Sequence, residues 1–549
     1  MYSKEIYSTL IDLCKIPSVS LDQDYENKAA QLVYRKFAER KYFMKNPDHL
    51  KLVQIEGDLI HRNFVFAVIK TEENIRDTVI FTGHFDVVEA DGPLKDFMFD
   101  PERYTEEIVK TELTGGARID ADSGNWLFGR GVADMKSGIA AAIGYGYRLA
   151  DGTLKVPVNV AFIFVPDEEN DSRGMLGAMA WLERFESEMS LNFIACVNTE
   201  PSVAPVLGGE TAPSIYLGSI GKINPFMYVM GKRMHLGEYY KGVSAALISS
   251  YLNLNIEGNL ELADVNGGTT YLPVGCHIIK NIGQKYGASI ADRVFILYGY
   301  LPAKKYPDQI IEELAEIAEK SLKQCFVHIG RIQHKYIKNE EDIAVYDPKV
   351  ILFSELKSMY ISKFGDTSEQ KINSLLAAQD EDHDGRSRAL EIVTEMVDSL
   401  SIQGPCIIVG YMFPCYPFIE NREDNKNDIS IRQIACDLVE YGRRKYGRNI
   451  KIHEFFEGAS DLSYCGLRGR AKKYSAYFDN VPGWGKLYGW PVSDMEKYDF
   501  PVINIGPLGR DIHKFTERVD LEYAISILPD FLDFVVNGIC HRILGSEKE

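Results

Sequence analysis

The stretch Gly129-Arg-Gly-Val-Ala-Asp134-Met-Lys-Ser-Gly138 joins a glycine-flanked turn to a helical pattern over residues 136–150. Outward from it, the first 210 residues alternate amphipathic helices with short, continuously apolar strands, among them 78–82 and 158–165. This alternation predicts an α/β layer fold with a largely parallel central sheet. In such sheets ligands bind beyond the carboxyl ends of the strands.

The pattern changes at about residue 213. Strand-like segments such as 226–230 and helices at 243–255 and 307–323 follow, and then a charged, weakly apolar stretch near 366–388. After Pro405 to Pro417 the α/β signals return, with a helix at 430–446, a strand at 502–505 and a last helix at 520–543. We therefore expect one α/β domain formed by 1–212 and 412–549, interrupted by an inserted α+β domain at 213–411.

Length and composition limit the functional class. A chain of 549 residues is too long for one hydrophobic core. The net charge of −18 and the lack of a basic stripe argue against nucleic acid and anionic membranes as partners. Nine scattered cysteines without a C-x-x-C pair suggest a reducing compartment. The most apolar stretch, 156–166, is too short to span a bilayer, and no signal peptide is evident, so we expect a cytoplasmic protein.

Four segments at predicted strand ends carry side chains of the types that bind metals: His84 with Asp86, Asp134, the pair Glu168 and Glu169, and Glu200. Asp86 lies two residues after His84 on the same face of the chain, so it can hold the imidazole N–H that is not on a metal. One histidine with several carboxylates suits zinc, with cobalt or manganese as alternatives.

Two ions would need a shared carboxylate, and Asp134 is the candidate because flanking glycines let its backbone approach closely. Adjacent Glu168 and Glu169 cannot easily bind the same ion, which leaves one of them free to act as a base. Each piece has an ordinary alternative: Asp134 can cap the following helix, and the glutamates can lie in solvated loops. A dinucleotide loop is a weak alternative, because Asp134 occupies its third glycine position. The coincidence of four such strand ends favours the metal site.

The ordered motifs resemble those of the co-catalytic zinc peptidases and deacylases, a family that includes glutamate carboxypeptidase, aminoacylase and succinyl-diaminopimelate desuccinylase. They are Ile16-Pro-Ser-Val-Ser20, Gly83-His-Phe-Asp-Val-Val88, the 129–138 stretch, Pro166-Asp-Glu-Glu169 and Gly509-Arg-Asp-Ile-His513-Lys-Phe-Thr-Glu517-Arg-Val519. The resemblance implies that His84 and Glu169 bind one ion, that Glu200 and His513 bind the other, and that Asp134 bridges them. It also implies Glu168 as the base and Asp86 as the partner of a ligand histidine.

The family's inserted domain is a lid, which the resemblance assigns to 213–411. Within it, Gly231-Lys-Arg-Met-His235-Leu-Gly237 is similar to the lid motif whose histidine contacts the scissile carbonyl. Without that resemblance, His235 would be an ordinary residue at a helix entry. The segments Phe413-Pro-Cys-Tyr-Pro417 and Phe455-Phe-Glu-Gly-Ala-Ser-Asp461-Leu-Ser-Tyr464 resemble the bacterial arginine-utilisation (RocB-type) branch.

The sequence thus predicts a two-metal hydrolase of an amide bond in an N-acyl amino acid or small peptide, with a role in arginine or other amino-acid catabolism. A dipeptidase with an enlarged lid and a catalytically silent binding or regulatory relative are the alternatives. The expected partners are a small molecule or short peptide and a second copy of the chain, and the expected cofactors are two divalent ions.

Overall fold

The computed structural model describes residues 2–203, 211–283, 287–339, 341, 343–377 and 385–545. The chain forms two compact units. Unit 1 contains residues 1–220, 416–468 and 491–549, and unit 2 contains 221–415 and 469–490. The inserted domain expected at 213–411 corresponds largely to unit 2. Unit 2 also contains 469–490, a segment that the sequence pattern places in the first domain.

The strands, in chain order, are β1 Leu50–Gln54, β2 Asn63–Ile69, β3 Asp77–His84, β4 Trp126–Phe128, β5 Asn159–Val165, β6 Asn192–Asn198, β7 Ser214–Tyr216, β8 Gly218–Ser219, β9 Lys222–Met230, β10 Val265–Asn266, β11 Thr269–Thr270, β12 Gly275–Asn281, β13 Arg293–Gly299, β14 Val350–Leu352, β15 Cys406–Tyr416, β16 Ile419–Glu420, β17 Lys451–His453, β18 Val502–Ile505, β19 Gly509–Arg510 and β20 Arg518–Asp520.

The α-helices are α1 Tyr2–Cys14, α2 Gln23–Ala38, α3 Lys41–Lys45, α4 Pro101–Ile108, α5 Gly115–Ser123, α6 Lys136–Ala150, α7 Arg173–Met189, α8 Ala245–Ile256, α9 Pro307–Tyr336, α10 Phe353–Phe364, α11 Thr367–Ala377, α12 Arg386–Leu400, α13 Lys426–Tyr446, α14 Ser475–Asp479, α15 Val492–Lys497 and α16 Leu528–Ile539. Helices α4 and α5 lie in the polar segment between β3 and β4.

The central sheet of unit 1 has eight strands in the order β1-β2-β5-β3-β6-β18-β7-β17. The four central strands β5, β3, β6 and β18 are mutually parallel, whereas β1, β2 and β7 join by antiparallel pairing. The central strands are mostly buried and rich in apolar residues, because helices cover a parallel sheet on both faces. The mostly parallel α/β sheet of the sequence analysis is therefore confirmed.

Helix α6 approaches this sheet very closely. A side chain at Gly138 would place its Cβ 2.2 Å from the carbonyl oxygen of Thr199, so only glycine fits there. The contact holds the start of α6, which follows Asp134, against the end of β6, which precedes Glu200. The glycine at the end of the 129–138 stretch thus brings two predicted metal ligands to the same edge of the sheet.

The C-terminal helical segment Tyr523–Leu544 belongs to the core of unit 1. By length and composition it could cross a membrane, but 61% of its most apolar window is buried. Phe531, Val535 and Ile539 pack in the same hydrophobic cluster as the central strands. Tyr523–Leu544 is therefore long enough to be considered as a membrane span, whereas 156–166 is not. Its packing, however, is that of a core helix.

Unit 2 contains a five-stranded sheet in the order β12-β13-β9-β15-β14, together with α8 to α12 and α14. Strands β12, β13 and β9 pair antiparallel, and β14 pairs parallel with β15. Most residues of β9 and all residues of β15 are buried, whereas the edge strand β12 is largely exposed. The inserted unit is therefore an α+β fold.

Candidate metal centre

Three neighbouring parallel strands of unit 1 end at the candidate site. His84 is the last residue of β3 and lies in register with Val165, the last residue of β5. The pair Glu168 and Glu169 follows β5, and Glu200 follows β6. Because adjacent parallel strands end at one edge, these side chains converge there.

The hydrogen bonds of His84 leave one ring nitrogen facing carboxylates. Nδ1 lies 3.1 Å from the backbone carbonyl oxygen of Asp86 and 3.3 Å from its Oδ1. A carbonyl oxygen only accepts, so Nδ1 carries a proton in this bond. Nε2 then faces Asp134 Oδ1 at 3.1 Å and Glu200 Oε1 at 3.3 Å. Asp86 thus contacts the imidazole through both its carbonyl and its carboxylate, whereas the sequence analysis considered only the carboxylate.

Asp134 lies between two histidines and does not cap α6. The N-cap residue of that helix is Met135, without a side-chain cap bond. Instead, Asp134 Oδ1 faces His84 Nε2, and Asp134 Oδ2 lies 3.2 Å from His513 Nε2. The two oxygens of one carboxylate therefore face two different imidazoles.

The other carboxylates divide between the two histidines. Glu169 Oε1 lies 2.9 Å from His513 Nε2, and Glu200 Oε1 lies beside His84. The direct contacts thus pair His84 with Glu200 and His513 with Glu169, whereas the resemblance implies His84 with Glu169. The physical reason is strand order, because β6, which leads to Glu200, is hydrogen-bonded to β3.

A small sheet fixes the turn that carries Asp134 against the loop that carries His513. Strand β4, directly before the turn, pairs with β20, which also pairs with β19. Within this frame the buried Glu517 accepts hydrogen bonds from Arg130 at 2.7 Å and from the backbone N–H of Ala133 and Asp134 at 3.2 and 3.4 Å. Arg130 also donates to the carbonyl oxygen of His513 at 3.3 Å. Arg130 and Glu517 lie within two of the sequence motifs, but their spacing there does not indicate this role.

Glu168 is held through its backbone on both sides. Its N–H donates to Asp86 Oδ1 at 3.1 Å, and its carbonyl oxygen accepts from the hydroxyl of Tyr416 at 2.7 Å. Its carboxylate Oε2 lies 3.9 Å from His84 Nε2, beyond hydrogen-bond distance. Burial raises the pKa of Glu168 well above its usual value, and the nearby charges of Glu200 and Asp461 raise it further. Of the two adjacent glutamates, Glu169 therefore makes the histidine contact.

The donor set fits divalent cations. The carboxylates of Asp134, Glu168, Glu169 and Glu200 are at most 13% exposed, and their ion pairs in the described part of the chain involve only histidines. Burial alone lowers the pKa of His84, but the carboxylates, Glu200 first, hold it well above its usual value. Such a cluster of buried acids is costly unless cations neutralise it. Ligand atoms of His84, Asp134 and Glu169 lie within 4.8 Å of one another, as do those of His84, Glu168 and Glu200.

His235 belongs to unit 2, whereas the other seven predicted site residues belong to unit 1. It is exposed and is the N-cap residue of the 3-10 helix Leu236–Lys241. Its Nδ1 accepts the N–H of Gly237 at 3.1 Å, so the neutral ring carries its proton on Nε2. It is thus a helix-entry residue with a hydrogen-bond donor on its outer nitrogen.

The chain is similar to one known protein family and to several known proteins. Peptidase family M20/M25/M40 matches residues 80–350. The chain is 29% identical over 542 residues to uncharacterized protein YqjN of Bacillus subtilis, covering 97% of this chain and 96% of that protein. It is 28% identical over 509 residues to Protein RocB of the same organism, covering 92% and 89%. A Staphylococcus aureus tripeptidase structure shares the fold with a TM-score of 0.53 at 13% identity, covering 98% and 99%.

The fold and the cluster of histidines and carboxylates define a hydrolytic enzyme of the metal-dependent peptidase and deacylase class. Within that class, residues 80–350 match peptidase family M20/M25/M40, and the chain is similar to RocB and YqjN along most of its length. The family resemblance inferred from the sequence motifs is confirmed.

Proposed function

We propose that the protein is a two-metal hydrolase of the cytoplasm that cleaves the amide bond of an N-acyl amino acid or a small peptide in amino-acid catabolism, including that of arginine. The observation that carries the proposal is the position of Asp134, whose two oxygens lie 3.1 and 3.2 Å from two different histidines. A carboxylate in this position can serve two ions at once.

The ligands would form two similar sets around that carboxylate. His84 with Glu200 would hold one ion and His513 with Glu169 the other, each together with one oxygen of Asp134. Imidazole and carboxylate ligands suit zinc, and cobalt or manganese can replace it. When bound, the ions polarise the scissile carbonyl and acidify the attacking water.

Glu168 is the residue that moves the proton. It takes a proton from water as the new carbon–oxygen bond forms, and returns it to the amine nitrogen as the carbon–nitrogen bond breaks. Its backbone contacts with Asp86 and Tyr416 hold it in place without using its carboxylate. His235 would donate from Nε2 to the carbonyl oxygen, where negative charge develops.

The test combines metal analysis with a substrate panel. Zinc-loaded protein is assayed for metal content and for hydrolysis of N-acyl amino acids and dipeptides, with Asp134→Ala as the comparison. Metal binding with hydrolysis of N-acyl amino acids supports the proposal, and activity confined to dipeptides would make the protein a dipeptidase. Metal binding without hydrolysis would favour a silent relative, and background metal in the wild type would reject the two-metal site. Sedimentation velocity on the same sample tests the expected homodimer.

A further inference from the structure

Asp461 is a buried acid that the proposed reaction does not use. It begins the 3-10 turn Asp461–Tyr464, and its exposure of 1% equals that of His84. Among the described residues neither of its carboxylate oxygens has a hydrogen-bond partner, and the same holds for the buried hydroxyl of Ser463 in the same turn. Buried polar groups are nearly always paired, so each exception needs a physical explanation.

This turn lies beside the loop of the catalytic base. The ring of Tyr464 packs against the ring of Tyr416 with 5.2 Å between centroids, and Tyr416 donates to the carbonyl oxygen of Glu168. The hydroxyl of Ser172 is close enough to Asp461 to lower the pKa of that carboxyl, although in this structure it donates to Tyr416 Oη at 2.8 Å. Asp461 is close enough to Glu168 for their charges to interact. The acid therefore borders the metal centre on the side of Glu168.

Asp461 lacks a compensating partner in the described part of the chain, and burial raises its pKa to about 7. Two divalent ions would bring four positive charges, as many negative charges as Asp134, Glu168, Glu169 and Glu200 carry when all four are ionised. Two other buried acids nearby have partners, since Asp86 contacts His84 and Asp167 forms an ion pair with Arg62. Asp461 forms no such pair in the described part of the chain.

We propose that Asp461 binds a positively charged group of the substrate, so that preferred substrates carry an ammonium or guanidinium group near the scissile amide. This inference rests on the proposed function and specifies its substrate class. A cation supplies the hydrogen-bond donors and the charge that the buried carboxylate needs, whereas a neutral or acidic substrate leaves it unpaired. Asp461 is thus a specificity-determining residue.

The experiment compares substrates that differ in one charge. Zinc-loaded enzyme is assayed with N-acetyl-arginine against N-acetyl-citrulline and with N-acetyl-lysine against N-acetyl-norleucine. A dipeptide and its N-acetylated form make a third pair, which distinguishes an α-ammonium from a charged side chain. The same pairs are measured with Asp461→Asn, which keeps the shape of the side chain, and with Asp424→Asn, the same change at an exposed position of unit 1.

In at least one pair, the cationic member should have a kcat/KM roughly 10- to 100-fold above its neutral partner, as expected for a hydrogen bond to a charged group. Asp461→Asn should abolish most of this preference, while Asp424→Asn should keep it. Equal kcat/KM values within every wild-type pair would overturn the proposal, as would an undiminished preference in Asp461→Asn. If that variant does not fold, as judged by circular dichroism, the wild-type pairs decide alone.

A binding measurement separates this subsite from the proposed function. Calorimetric titration of wild type and Asp461→Asn with arginine, citrulline, lysine and norleucine requires no turnover. If the zinc-loaded enzyme hydrolyses no member of the panel but binds a cationic amino acid through Asp461, the proposed function fails and the subsite stands. Hydrolysis without any preference or selective binding would reject the subsite and keep the function.

Discussion

Replacing Glu168 with glutamine isolates the proton-transfer step. The two side chains have nearly the same shape, and the backbone contacts of Glu168 with Asp86 and Tyr416 do not involve the carboxylate. Its Oε2 lies 3.9 Å from His84 Nε2, whereas Glu169 lies 2.9 Å from His513. Glu168→Gln should therefore fold normally and keep its metal, while it loses the group that accepts a proton.

The expected loss in kcat is about 10² to 10⁴, the usual contribution of a positioned general base. This corresponds to roughly 3 to 5 kcal/mol in the activation free energy. Burial raises the pKa of this carboxyl because its charged form is costly to bury. The amide of glutamine has no charged form, so the melting temperature of the metal-free variant should not fall below that of the wild type.

The assay is steady-state hydrolysis of the best panel substrate, together with metal content and thermal melting of the same preparation. Glu169→Gln is the matched control, because it makes the same chemical change one residue away and should lower metal content. If Glu168→Gln lost metal to the same extent, Glu168 would be a ligand and Glu169 the candidate base. Full activity in Glu168→Gln would refute the assignment of the base.

Three further predictions concern the bridge, the donor in unit 2 and a buried lysine. Asp134→Ala should lose both ions and activity, because the side chain faces both histidines; retention of metal and turnover would contradict the bridge. His235→Ala should lower kcat by about 10² to 10³ with unchanged metal content, and unchanged turnover would exclude the donor role. Burial lowers the pKa of Lys136 to about 8 from 10.5, so between these pH values the folded protein binds fewer protons than the unfolded chain. The free energy of unfolding of the metal-free wild type should rise with pH across that window, by up to about 3 kcal/mol relative to Lys136→Met. Urea denaturation at pH 8 and pH 10 measures this, and parallel behaviour of the two proteins would contradict it.

The strand-end residues could be predicted because their convergence depends on local patterns. Short apolar strands alternating with helices predict a parallel sheet, and the carboxyl ends of parallel strands share an edge. His84, Glu169 and Glu200 lie together for that reason, whereas Asp134 follows β4 of the small three-stranded sheet. Which glutamate lies beside which histidine depends on which strands are neighbours in the sheet. The periodicity of apolar residues in the sequence does not reveal the strand order.

Residues that reach the site from distant parts of the chain were harder to predict. His513 was found only through the resemblance, because a single histidine before a C-terminal helix has no distinctive spacing. Tyr416 and Asp461 lie about 250 and 290 residues after Glu168 in the sequence, and their contacts depend on tertiary packing. Tyr416 and Asp461 lie in the two segments that resemble the RocB-type branch. This shared resemblance was the signal in the sequence that the two segments act together.

The elements that were overlooked have weak local signals. Helices α4 and α5 have eight and nine residues and lie among many polar residues, so their apolar periodicity is weak. The segment 469–490 belongs to unit 2 through long-range packing, although it follows α/β signals in the sequence.

The most direct test of the account is a crystal structure of the zinc-loaded protein with anomalous data at the zinc absorption edge. The account predicts two anomalous peaks per chain about 3.5 to 4 Å apart on either side of Asp134. One peak should contact His84 and Glu200, and the other His513 and Glu169. A single peak, or a peak bound by His84 and Glu169 together, would contradict the two-metal centre described above.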